Sequence, residues 1–163
     1  HPTWLEPAEW LGAVGDYPLH LISQQPATRL HAQMDCASVS RDSKIQGREP
    51  ITLNPADGAA RGIAAGDIVR VFNARGEILA GVILDDGVRE GVVCLATGAW
   101  YDPAEPGRIG SLDKHGNPNV LTLDRGTSRL AQGPIAHSAL VEIERFEGPA
   151  PEITAFTGPN AQG

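Results

Sequence analysis

A chain of 163 residues has the length of one domain and is long enough to bury a core without disulfide staples. Its 13 basic and 20 acidic residues give a net charge of −7, which argues against a binder of phosphate backbones with its basic stripe. Apolar residues make up 41%, which excludes wholesale disorder, and no apolar run approaches the roughly 20 residues that span a bilayer.

The chain opens His1-Pro2-Thr3 with no initiator Met and reads as a processed chain or an excised fragment, with residues 1–17 as an extended lead-in. Nineteen Gly and thirteen Pro suit short strands separated by tight turns, hence a mainly β protein with a few short helices. Leu19 to Ser23, between Pro18 and Pro26, is the first expected strand, and Ile51 to Leu53 the second. A helix should then start where Asn54 can cap, Pro55 fits the first helical position and Asp57 meets the positive end of the dipole. It should run through Arg61 and stop at Gly62. Ile68 to Asn73 is a clear strand, followed by a hairpin turn at Ala74-Arg75-Gly76-Glu77. Ile78 to Leu84 is apolar on both faces and should be buried on both. Asp85-Asp86-Gly87 turns the chain again into the strand Val92 to Ala96.

Gly98 to Asn119 is different: 22 residues with little periodicity. Structureless loops longer than about 12–15 residues are uncommon unless functional or disordered. Trp100 and Tyr101 within it argue that it packs against something. Ala139, Val141 and Ile143 then alternate with Glu142 and Glu144 as a half-buried strand. The Pro/Gly-rich tail beyond Phe146 reads as an extended arm.

Two polar clusters are candidates for chemistry. The run Ser23-Gln24-Gln25-Pro26-Ala27-Thr28-Arg29-Leu30-His31-Ala32-Gln33 follows a strand end directly. Arg29 and His31 suit an anion, and Gln amides suit the edge of a heterocycle; a polar turn capping a strand end is the plain alternative. The second cluster runs from Gly116-Asn117-Pro118-Asn119 to Asp124-Arg125-Gly126-Thr127-Ser128, with His137 and Ser138 at the mouth of the last strand. It reads equally as turn chemistry. Cys36 and Cys94 read as two unpaired thiols, and the five His show no metal-ligand spacing. Asp57, Asp67, Asp85 and Asp86 read as cap and turn residues. A triad of Ser23, His31 and Asp35 lacks a GxSxG elbow. The scarcity of lysine, only Lys44 and Lys114, reads as source composition. Gly110-Ser111 is the bond at which a pyruvoyl decarboxylase would self-process, one alternative function; a small DNA-binding barrel is another, opposed by the charge.

Taken in order, the strings His1-Pro2-x-Trp4, Gln25-Pro26-x-x-Arg29-Leu30-His31-x-Gln33, Gln46-Gly47-Arg48-Glu49-Pro50 and Asn54-Pro55-x-Asp57 resemble the C-terminal cofactor-binding domain of molybdopterin oxidoreductases of the dimethyl-sulfoxide reductase family. So do Gly66-Asp67-Ile68-Val69, Gly98-Ala99-Trp100-Tyr101, Gly116-Asn117-Pro118-Asn119 and Gly126-Thr127-Ser128. The branch resembled is that of the biotin sulfoxide and trimethylamine N-oxide reductases, over roughly residues 1–158. The resemblance implies a six-stranded double-psi β-barrel over residues 18–147, a lead-in at 1–17 and an arm at 148–163. It implies that the barrel clamps part of a molybdenum-bis(molybdopterin guanine dinucleotide) cofactor. By motif match, Ser23, Gln25, Arg29, His31 and Gln33 would line one side, and Asn119 and His137 the other. Ala32 stands where relatives often carry Ser, and His137 where they can carry Gln. Nothing in the chain looks like the family's metal ligand, which lies in another domain. The expected partners are therefore the remaining domains of one long reductase and its S-oxide or N-oxide substrate, with no nucleic acid and no membrane span. Arg29 and Asn119 lie in Gly/Pro-flanked loops, so their removal should cost the scaffold little.

Overall fold

The computed structural model describes residues 1–13 and 15–158. Six strands form a closed barrel: β1 Leu19–Ile22, β2 Pro50–Leu53, β3 Ile68–Asn73, β4 Gly76–Leu84, β5 Val92–Leu95 and β6 Ser138–Arg145. The helices are short, α1 Ser38–Asp42 and α2 Pro55–Ala60, with 3-10 turns at Leu11–Ala13 and Pro118–Val120. No helix among the described residues is long and apolar enough to cross a membrane. The six strands fall where the apolar runs place them. The hairpin is tighter than expected: Asn73 pairs with Gly76, leaving only Ala74 and Arg75 in the turn.

The ring order is β1-β5-β2-β4-β3-β6. Two pairings are parallel, β1 with β5 and β2 with β4; the others are antiparallel. Advancing every strand number by three maps the ring onto itself. Two three-strand halves therefore interlock across a pseudo-twofold, which is the double-psi arrangement. Odd-numbered strands run one way and even-numbered strands the other, so connections collect at two ends.

Alternation along each strand fills the interior. Leu19, Leu21, Ile51, Leu53, Val69, Val71, Val93, Leu95, Ala139, Val141 and Ile143 form one cluster, each at most 2% exposed. Burying such side chains is worth about 1.5–3 kcal/mol each. β4 is covered on both faces from Ile78 to Val82, as its composition predicts, but beyond that Ile83 is exposed where the strand leaves the cover. Ile78, Ala80 and Val82 enter the core, while Leu79 on the other face is covered by the long connection after β5, whose Asp113 carbonyl accepts the Leu79 amide at 2.8 Å. A Cβ on Gly81 would stand 2.3 Å from Ile45 Cβ, so Ile45 seats there only because the residue is glycine.

The tail is tied down. It leaves β6 with Phe146 donating to the Ile68 carbonyl at 2.9 Å, then runs back along the outer wall to the opposite end. Arg48 donates to the Pro151 carbonyl, and Lys114 to the Thr154 hydroxyl at 2.8 Å. Positions 159–163 of the expected arm lie outside the described residues.

Candidate functional site at the long-loop end of the barrel

Segments 23–49 and 96–137 both emerge at the end where β1, β3 and β5 finish, whereas the far end carries α2 and a short turn after β4. Inward parity continues past β1, so Ser23 follows Leu19 and Leu21 at the barrel mouth. Its amide donates to the His137 carbonyl and the Gln24 carbonyl accepts from Thr97, both at 2.9 Å. These bonds splice the β1 exit to both neighbouring connections. The Ser23 hydroxyl is buried and has no hydrogen-bond partner among the described residues.

Gln25 closes the loop that follows. Its side-chain oxygen accepts from the His31 amide at 3.1 Å, and its nitrogen lies 2.8 Å from His31 Nδ1. That nitrogen also lies 3.4 Å from Nε2, which places it over the face of the ring and leaves both tautomers open. Both residues are exposed, so their polar atoms remain open to a further partner. His31 has φ 49°, a left-handed conformation uncommon for a side-chain-bearing residue. Its carbonyl is gripped from two sides. Arg29 Nε donates to it at 3.2 Å, and Gly98 passes so close that a Cβ there would stand 1.8 Å from it.

Arg29 does not face outward. Its guanidinium is fully buried, 3.0 Å from Glu49 and 3.5 Å from Asp35. It also donates to Ser40 Oγ at 3.1 Å and to the Thr97 carbonyl at 2.9 Å. Lys44 completes a ring, 3.0 Å from Asp35 and 2.8 Å from Glu49, with all four side chains at most 3% exposed. Two cations and two anions cancel, so burial leaves no net charge. This corrects the expectation that removing Arg29 would cost the scaffold little: breaking a buried pair leaves an uncompensated charge.

Burial alone would raise the Asp35 carboxyl, but the Trp100 amide, Lys44 and Ser40 outweigh it and hold it below its ordinary value. Next to it His115 is fully buried, its Nδ1 2.8 Å from the Trp100 carbonyl and its Nε2 unpartnered among the described residues. Burial and then Lys44 lower its pKa against the pull of Trp100, Asp35 and Asp113. Asp113 goes the other way, raised by burial despite accepting from the amides of Asn117, Asp102 and Gly116.

The remaining expected residues are exposed. Gln33 donates its amide to the Leu30 carbonyl at 3.0 Å and closes a tight turn on the Gln25 loop. His137 Nδ1 lies 3.4 Å from the Ser23 carbonyl. Asn119 sits in the 3-10 turn capped by Asn117, over the β3–β4 hairpin, where Asn73 donates to the Leu121 carbonyl at 2.8 Å and the Leu140 carbonyl at 3.0 Å. Ser23, Gln25, His31 and His137 thus gather at the β1 exit with Gln33 on the same loop. No hydrogen bond among the described residues joins the Asn119 side chain to them.

The triad does not assemble, since Asp35 is in the ion ring and His31 is held by Gln25. Ser111 Oγ accepts from the Glu105 amide at 2.8 Å. Both thiols are free, and no cluster of three metal-ligating side chains occurs among the described residues. Sequence reasoning weighed Asp35 only as a triad acid and Glu49 only as part of a family string, and missed the roles of Lys44, Asp102, Lys114 and His115. Nothing near these residues in sequence announces their pairing: both lysine side chains are buried in ion pairs, Lys114 with Asp102 at 3.3 Å.

A family model described as a molydopterin dinucleotide binding domain matches residues 19–140. The chain is 48% identical over 160 residues to a dimethyl sulfoxide/trimethylamine N-oxide reductase of Cereibacter sphaeroides, covering 98% of the chain and 20% of the relative. It is 50% identical over 163 residues to a trimethylamine-N-oxide reductase of Salmonella typhi, covering 98% of the chain and 19% of the relative. The chain thus spans about a fifth of the length of these relatives. Among solved structures, acetylene hydratase from Pelobacter acetylenicus superposes with a TM-score of 0.69 at 18% identity, over 89% of this chain and 21% of that one, which speaks to the fold alone. Neither the decarboxylase nor the DNA-binding reading is favoured by these matches. The chain belongs to the molydopterin dinucleotide binding domain family, and its cofactor class is a molybdopterin.

Proposed function

We propose that this domain holds a molybdenum-bis(molybdopterin guanine dinucleotide) cofactor and that the whole protein reduces an S-oxide or N-oxide, trimethylamine N-oxide or dimethyl sulfoxide first among them. The observation that carries the reading is the open donor set at the β1 exit. A pterin presents ring N–H, amino and carbonyl groups, which need partners offering both donors and acceptors. Gln25 and His31 hold each other while both stay exposed, so their polar atoms remain open, and the Ser23 hydroxyl is buried without a partner among the described residues. An unsatisfied buried hydroxyl costs free energy that a ligand at the mouth would recover.

Ser23, Gln25, His31, Gln33, Asn119 and His137 are the residues that would touch the group. Arg29 serves it through the His31 carbonyl. The bound molybdenum would supply the electron and oxygen-atom transfer. This domain's own residues bind and orient the pterin and guanine portions and exclude water from one side. The remaining domains, expected from the relatives' fivefold greater length, supply the metal ligand and the substrate funnel.

The test uses the full-length protein. Gln25→Ala, His31→Ala and Asn119→Ala are measured for molybdenum and guanine-nucleotide content per polypeptide. One lost hydrogen bond to a charged group is worth about 1.5–3 kcal/mol, roughly tenfold or more in affinity. Full cofactor content in all three variants defeats the site assignment. A loaded wild-type protein that reduces neither trimethylamine N-oxide nor dimethyl sulfoxide with a viologen donor defeats the activity.

A further inference from the structure

We propose that residues 149–157 of the C-terminal arm form a strap whose docking positions the Gln25–His31 loop; this rests on the cofactor reading of that loop. The arm is far from β1 in sequence, yet it is wired to the loop through side chains. Thr154 meets Asp102 twice, its amide donating to Oδ2 at 2.7 Å and its hydroxyl to Oδ1 at 2.6 Å. Lys114 closes that knot on both partners. Two residues on, the Phe156 ring stands edge-on to His115 at 5.0 Å and to Trp100 at 5.5 Å, with the Arg41 guanidinium 5.4 Å from its centre.

Trp100 carries the coupling inward. Its indole N–H donates to the Ala32 carbonyl at 2.8 Å, one residue beyond His31. Its amide donates to Asp35 at 2.9 Å, and its carbonyl meets His115 Nδ1. Asp35 in turn belongs to the ion ring in which Arg29 holds the His31 carbonyl. Apart from the exposed bond between the Trp100 indole and the Ala32 carbonyl, the links are made by buried or half-buried groups, and all but the ring contacts are directional. A left-handed residue such as His31 keeps its conformation only where its surroundings over-determine it. Undocking the arm would free one face of Trp100, admit water to Asp102 and His115, and loosen the restraint on Ala32 and His31. Thr154 and Phe156 are therefore positioning residues: none of the described contacts brings either to Gln25 or His31.

The experiment uses full-length protein carrying Thr154→Val with Phe156→Ala, beside Leu84→Ala as a comparably destabilised variant packed against α2 at the far end. Amide hydrogen exchange is read on protein purified from cells that cannot make the pterin, and cofactor content on protein from normal cells. The strap predicts at least tenfold faster exchange in residues 29–36 and 97–102, unchanged exchange in β3 and β4, and loss of cofactor. Phe156→Tyr, which keeps the ring, should restore slow exchange. No acceleration at 29–36, or the same acceleration in Leu84→Ala, overturns the strap whatever the cofactor does. Faster exchange with full cofactor, when Gln25→Ala does lose cofactor, also overturns it. If Gln25→Ala keeps full cofactor as well, the cofactor reading of the loop falls instead.

Discussion

The two ends of this barrel use the same kinds of polar residue in different proportions. At the far end, most side chains cap backbone close by in sequence, with two longer reaches that tie α2 to the β4–β5 turn: Asn54 donates to the Val88 carbonyl at 2.7 Å and Asp57 accepts from the Gly91 amide at 2.8 Å. Asn54 accepts from the Ala56 amide at 2.8 Å, Asp85 from Gly87 at 2.8 Å and Asp67 from Ala64 at 2.9 Å. At the long-loop end they serve backbone far away: Arg29 the Thr97 carbonyl, Asp35 the Trp100 amide, Trp100 the Ala32 carbonyl, Asp102 the Thr154 amide. Local caps can form as soon as their turn does. Long-range clamps exist only once the barrel has closed and brought the segments together. The far end thus leans more on local caps, while the loop end depends on the whole fold and can hold a strained segment.

This contrast can be broken most severely at Asp35. Asp35→Ala leaves Lys44 and Arg29 buried with only Glu49, and should cost about 3–5 kcal/mol in denaturant unfolding, together with cofactor. An effect below about 1 kcal/mol, the range of exposed pairs, would show that the ring is solvated. Gly98→Ala comes next. With φ at 96° and the His31 carbonyl in the way, it should cost about 1–3 kcal/mol from the clash alone and displace the loop, seen as cofactor loss out of proportion to the melt.

Asn54→Ala sharpens the comparison from the other side. It removes the Ala56 cap together with the donor to the Val88 carbonyl, should cost about 1–2 kcal/mol, and should leave cofactor content untouched. Cofactor loss in this variant would mean that the two ends are coupled. The smallest effect is on pH. His115 is held neutral by burial and by Lys44, so its folded pKa lies below the ordinary value of about 6.5. Above that value both states are neutral and the contribution is complete. As pH falls through about 6.5, the unfolded chain takes up the proton first, so stability declines until the folded pKa is reached. His20, lowered by burial against the pull of Glu9, acts with the same sign. His115→Asn keeps a donor for the Trp100 carbonyl and should flatten the dependence of the melting temperature on pH between about 7 and 5.5. An unchanged slope would place the titration elsewhere.

Much of the scaffold was legible. Ile68 to Asn73 is a strand with the bounds its apolar run suggests, and Asn54-Pro55-x-Asp57 opens a helix with Asn54 as its cap. α1 was missed: Ser38–Asp42 carries no side-chain cap and one buried residue, Ser40, so neither signal of a helix start was present. Around the site, the Gln25 to Gln33 run was conspicuous as a polar cluster after a strand. Arg29 was misjudged because its flanks look like a surface loop, and nothing near it in sequence announces Glu49 or Lys44 as partners.

By itself the amino-acid order determined the six strands, their inward faces, the local caps and the family resemblance, because period-two alternation, turn chemistry and short motifs are properties of neighbouring residues. Only the tertiary structure decided which charges are buried and with whom, Lys44 and Lys114 among them, and that an arm beginning at the far end returns to grip Asp102 and Trp100. Those outcomes depend on distances between segments tens of residues apart. Such distances are set by the closure and register of the barrel, to which each residue makes only a small contribution.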